Sequence, residues 1–199
     1  MRFMRDGQDV ELKIGKAQAL LAYLAVTGRA QTREHLLDLL WAESHPEAAR
    51  KNLRNNLWRM RRQLGDDILV AEDDWVLLSS DVLTDVTRFE SQIHDELNRA
   101  DPPGIRPEDS QIESTLELWR GPLLDGLRLS DAPDFELWLA AERNRLGQLY
   151  LAGLNRLLTR HREAGDWRAI IPVARRALAF DHTQEPIAAA LMEAYARLG

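Results

Sequence analysis

The stretch from Pro46 to Gly65 constrains the fold more than any other part of the chain. On a helical wheel at about 100° per residue, Ala49, Leu53, Leu57, Met60 and Leu64 share one narrow arc. Lys51, Arg54, Asn55, Trp58, Arg61 and Arg62 fill the opposite one, with Arg50 at its margin. Pro46 suits a first helical turn, where its missing amide costs nothing. Glu47 complements the positive helix N-terminus, and Gly65 is a stop. A helix of this kind buries its apolar arc against neighbouring elements and presents the other face outward. From Arg50 to Arg62 there are six basic residues and no acidic one. A solvated surface helix ordinarily mixes signs, so that Glu and Lys pair four residues apart. Here like charges repel, and an anionic partner relieves that repulsion. Duplex DNA is the commonest partner of that sign.

The flanking sequence supplies what such a helix needs. Residues 1–14 read as a small hairpin around Asp6-Gly7, ending in the extended run Val10 to Ile14. Ala17, Leu20, Leu21 and Leu24 have helical spacing from Lys16 to Thr27, and Gly28 stops that helix. Thr32 stands as the N-cap of a second helix over Arg33 to Trp41. After the third helix, Ile68–Val70 and Trp75–Leu78 read as a hairpin. Strand pair, three helices and hairpin is the layout of a winged helix-turn-helix, which is built for a major groove. In that setting Arg54 and Asn55 are the candidates for reading base edges, guanine and adenine respectively. Lys51, Arg61 and Arg62 are candidates for phosphate, as are Thr32 and Arg33 at the start of the second helix. Trp58 has two readings: it lies over a sugar or thymine methyl, or it packs against the hairpin. The hairpin itself is acidic at its turn, Glu72-Asp73-Asp74, with no Lys or Arg between Gln63 and Thr87. Such a wing repels phosphate, so it points away from DNA or serves as a protein contact.

The remainder is helical. A helix is expected over Pro107 to Trp119, an irregular loop over Leu123 to Pro133, and a long helix from Asp134 to about Gly165. Gly165 and Gly199 close similar endings, HREAG and YARLG, at the 34-residue spacing of tetratricopeptide repeats. Gly165-Asp166-Trp167 forms the turn, and Ala174, Ala177 and Leu178 take close-packing positions. Ile170 and His182 depart from the usual alanine and proline. The last repeat ends after one helix with Leu191 and Tyr195 on its apolar face, so the chain is expected to be a fragment of a longer protein. The fold class is therefore mainly α with small β: a winged helix-turn-helix over residues 1–84, then an all-α, tetratricopeptide-like domain over residues 85–199.

Charge and residue usage narrow the function. The net charge of −6 argues against nucleic acid only if read globally, because residues 1–84 hold 12 basic and 13 acidic side chains and residues 85–199 hold 14 and 19. With no cysteine, thiol catalysis, zinc-thiolate sites and disulfides are excluded, and a cytoplasmic address is expected. The histidines lack the spacing of a metal helix, and there is no glycine-rich phosphate loop or nucleophile elbow. The expectation is a non-enzyme without cofactor or metal, and without a membrane span.

Lys16-Ala17 to Leu24, Thr32-Arg33-Glu34 to Leu40-Trp41, Ala48-Ala49-Arg50 with Asn52-Leu53-Arg54, and Leu57-Trp58-Arg59-Met60-Arg61-Arg62 with Leu64-Gly65-Asp66 resemble the antibiotic-regulatory, SARP-type activators. These join an OmpR-like winged helix to a bacterial transcriptional activator domain. Asp85 to Glu90, Trp119-Arg120-Gly121-Pro122-Leu123-Leu124, Trp138-Leu139 with Glu142-Arg143, and Gly165-Asp166 are similar to that second domain in order and spacing. The resemblance implies an activator that binds tandem direct repeats of double-stranded DNA as a homodimer and contacts RNA polymerase. It also implies a longer parent protein with a C-terminal ATPase. The competing expectation is a non-catalytic interaction scaffold whose winged helix no longer binds DNA, as the acidic wing allows.

Overall fold

Why α1, the helix Gly15–Thr27, sits at the centre of its unit follows from its composition. Ala17 and every residue from Ala19 to Ala25 are buried, so it is apolar nearly all round. In the computed structural model the described residues are 3–5, 8–10, 15–72, 74–79, 82–99 and 111–199. Strands β1 (Phe3–Arg5) and β2 (Gln8–Val10) pair antiparallel, Phe3 opposite Val10. The expected turn at Asp6-Gly7 and the extension over Glu11 to Ile14 lie outside the described residues. By compactness the chain divides into Met1–Arg88 with Gly121–Asn144, and Phe89–Arg120 with Arg145–Gly199. That cut differs from the sequential one expected at residue 84.

In the first unit, Gly28 stops α1 in the left-handed region, with φ 60°. Strand β3 (Gln31–Thr32) runs directly into α2 (Arg33–Trp41), and Thr32 Oγ1 accepts from the His35 amide at 3.2 Å as the N-cap. Helix α3 (Pro46–Leu64) follows a short turn. It ends at Gly65, whose φ of 110° few other residues adopt and whose amide donates to the Arg61 carbonyl at 2.7 Å. A 3-10 turn then leads into β4 (Leu69–Ala71) and β5 (Trp75–Leu78). The sheet has the order β3-β5-β4, all antiparallel, with Thr32 opposite Trp75 and Val70 opposite Leu77. Three helices with this sheet have the element order expected of a winged helix-turn-helix.

The irregular segment 121–132 is fastened to the same unit by side chains. Lys16 Nζ donates to the Leu40 carbonyl at 2.6 Å and to Asp131 Oδ2 at 2.7 Å, and lies over the Trp41 ring. The hydrogen bond from Lys16 holds the Asp131 carboxyl below its ordinary range. Arg143 donates to the carbonyls of Leu123 and Leu124, both at 2.7 Å, which holds Leu124 at φ 49°. Tyr23 meets Trp138 edge-on and is hydrogen-bonded to His35 at 2.7 Å, and burial raises its pKa.

The second unit is helical. It draws on α4 (Asp85–Asn98), α5 (Ile112–Glu117), α6 (Pro133–Glu163), α7 (Trp167–Phe180) and α8 (Glu185–Leu198), with α4 and α6 each contributing residues to both units. Helix α5 is shorter than expected. It stops at Glu117, and Trp119 instead stacks on Tyr150 at 4.8 Å with Phe180 edge-on to both rings. Residues Pro107 to Ser110 and the loop Asp101 to Gly104 lie outside the described residues. Arg176 donates to the Tyr150 hydroxyl and, at 2.5 Å, to the Leu116 carbonyl. Arg160 and Glu96, both buried, form an ion pair at 2.9 Å. At the repeat turn Gly165 has φ 71° and Asp166 caps α7 by accepting from the Ala169 amide; Ala174 and Ala177 are buried, as is Ile170, whereas Leu178 is only half-buried. Among the described residues no helix is long and apolar enough to cross a membrane.

Candidate nucleic-acid interface

Helix α3 carries the candidate site because its two faces separate cleanly. Ala49, Leu53, Leu57, Met60 and Leu64 are buried, as is Asn56, which the apolar pattern did not flag. Asn56 stays inside by donating its amide to the Asn52 carbonyl at 2.8 Å. On the other side Arg50, Lys51, Arg54, Asn55, Trp58 and Arg62 are all exposed, and so is Arg59, which lies at the far margin of the wheel. Among the described residues no carboxylate forms an ion pair with Arg50, Lys51, Arg54, Arg59, Arg61 or Arg62. The cationic stripe is therefore not neutralised from within the described part of the molecule.

Trp58 does not pack away. It is 57% exposed, and the Arg62 guanidinium lies 5.2 Å from its ring centroid, one helical turn on. Arg61 and Arg33 are placed differently from the rest. Arg61 is half-buried: it bends toward the β4 edge and donates to the Leu69 carbonyl at 3.5 Å, with Nε buried and without a hydrogen-bond partner. Arg33 is half-buried too. Its amide donates to the Asp74 carbonyl at 2.8 Å and its guanidinium to the Glu72 carbonyl at 3.4 Å. Thr32 is exposed, but its hydroxyl already accepts as the α2 cap. The expected site thus resolves into an outward group on α3 and a second group, Thr32, Arg33 and Arg61, drawn toward the hairpin.

The hairpin turn keeps its acidic character on the surface. Glu72 and Asp74 are exposed beside Arg33, and Asp66 and Asp67 are exposed in the turn after α3. These carboxylates make the hairpin side less attractive to phosphate than the outward face of α3.

Helices α7 and α8 pair across the short turn at Asp181 in the helical part of the chain. Comparison with protein-family models bears on the helical part. The bacterial transcriptional activator domain matches residues 84–199, and the chain belongs to that family, which is regulatory and of the transcriptional activator type. The residues quoted above for the resemblance have structural jobs in this region: Arg143 fixes the carbonyls of Leu123 and Leu124, and Trp119 joins the aromatic stack. Comparison with curated proteins finds no match.

Proposed function

We propose that the chain is a sequence-specific DNA-binding transcriptional regulator of the cytoplasm that reads the major groove with α3. It acts as an activator by contacting RNA polymerase, and it binds tandem direct repeats as a homodimer. The observation that carries this reading is the outward face of α3: cations and an amide, exposed and without carboxylate partners among the described residues, on a helix whose other face is buried. Like charges held close on a rigid rod gain most from a polyanion that spaces its charges regularly. Arg54 and Asn55 have the donor patterns that match guanine and adenine edges, while Lys51, Arg50 and Arg62 hold phosphates. The acidic hairpin stays off the backbone and is free for protein contact.

The test is selection of duplexes from a random-sequence library by the full chain, followed by titration of the best-bound duplex over a range of salt. Specific binding that weakens steeply with salt is expected. Binding that ignores sequence, or that salt leaves unchanged, removes the reading. No binding to any duplex favours the interaction-scaffold alternative, for which the exposed Glu72 and Asp74 are the supporting feature.

A further inference from the structure

We propose that Trp58 reads the C5-methyl group of a thymine, with the Arg62 guanidinium over the indole to hold it in the reading position. This rests on the assignment of α3 to the major groove and goes beyond it by naming an apolar readout inside a cationic stripe. Three observations meet at this residue. Trp58 lies within about 40° of the direction opposite the buried arc of α3, on a wheel of about 100° per residue, so it is on the face that any groove the helix enters would meet. It is the large hydrophobic side chain exposed on that helix, at 57%, in a segment otherwise made of cations and amides. And Arg62 lies over its ring at 5.2 Å.

The chemistry follows from what the groove offers. Phosphates and sugars form its walls, and its floor is donors and acceptors except at thymine, whose C5-methyl is the one apolar group presented there. The apolar face of an indole sheds water against a methyl, a gain that a bare carbonyl or amino edge does not offer it. A guanidinium over the ring is attracted to its π face and still has N–H groups to direct outward. That contact restricts both side chains before binding, which lowers the entropy lost when they dock.

The experiment uses the full chain and the best-bound duplex selected from a random library, with deoxyuridine replacing thymine one position at a time. Deoxyuridine removes only the methyl. At one thymine per half-site the wild type is expected to bind about fourfold more weakly. Trp58→Ala is expected to lose that penalty at that position while keeping its salt dependence, and Trp58→Phe to keep part of it. Arg62→Lys, which preserves charge but not the planar guanidinium, is expected to shrink the penalty without abolishing it. Trp58 is exposed, so these variants should fold, and circular dichroism checks that they do. A wild type indifferent to every deoxyuridine substitution overturns the proposal, as does the same penalty profile in Trp58→Ala, which would mean sugar packing or a protein-facing role for the ring. An unchanged penalty in Arg62→Lys removes the part assigned to Arg62. Absence of specific binding by the wild type sinks the DNA reading itself, a different outcome from specific binding with no thymine dependence.

Discussion

Lys51 and Arg54 lie one turn apart on the same exposed face of α3, yet they are suited to different work. Lys51 carries a compact charge on a flexible stem, so it recognises a phosphate and no particular base. Its replacement by Ala should weaken every duplex by a similar factor and reduce the salt slope by about one. Arg54 has a planar fork that can take both acceptors of a guanine. Arg54→Ala should cost about 1–3 kcal/mol and flatten preference at one base position, leaving the others intact. Titrations against a panel of single-base variants separate the two, and identical profiles for the two variants would count against the division of labour. Asp181 makes a different kind of prediction. It accepts from Gln184 Nε2, Thr183 Oγ1 and the Thr183 amide in the turn between α7 and α8, and these bonds lower its pKa from 3.8 to about 2. A depressed folded-state pKa means the charged form stabilises the fold above the unfolded value, and this is lost as pH falls through about 2. Asp181→Asn should therefore melt below wild type at pH 5 and converge with it as the pH approaches 2. A gap that is constant with pH would mean the carboxylate charge is irrelevant to the turn.

At the scale of elements, close approach decides more than propensity. A Cβ on Gly153 of α6 would sit 2.5 Å from Ile93 Cδ1 and 2.9 Å from Leu116 Cδ2, both in side chains that are fully buried. Gly→Ala inside a helix ordinarily gains about 1 kcal/mol. Overpacking a filled core costs about 1–3 kcal/mol, so Gly153→Ala should be a net loss of about 1 kcal/mol in urea unfolding. A stabilised variant would show that α4 and α5 can give way. The same distinction explains which elements could be read from sequence. Helix α3 was legible to its ends because Pro46, the apolar arc and Gly65 all point to one answer. Strand β3 was not, since two residues have no periodicity and its partner β5 lies far along the chain. Trp119 fits a helical stripe and so extends α5 too far on sequence alone, whereas its ring is claimed by Tyr150 and Phe180. In the candidate site the wheel assigned the exposed face of α3, but it had no means of seeing the Leu69 carbonyl that draws Arg61 aside.

For the whole molecule, the first unit does not end where its sequence-continuous part ends. Residues 121–144 return to it and complete the surroundings of α1: Asp131 pairs with Lys16, Trp138 meets Tyr23 edge-on, and Leu127 and Leu129 come within van der Waals range of a Cβ built on Gly15. A fragment of residues 1–88 keeps α3 and the hairpin but loses this cover. Tyr23 would then lose Trp138, and Lys16 would keep the Leu40 carbonyl without its carboxylate. Exposing one aromatic side chain costs about 1.5–3 kcal/mol, a large share of the stability of a unit this small. The fragment should therefore unfold at lower urea than the full chain followed by the same probe, and should bind the selected duplex more weakly because α3 is less firmly held. Its salt slope should be nearly unchanged, since all the cations of the stripe are still present. If residues 1–88 match the full chain in both midpoint and affinity, the returning segment is decoration and the DNA-reading unit is the N-terminal stretch alone.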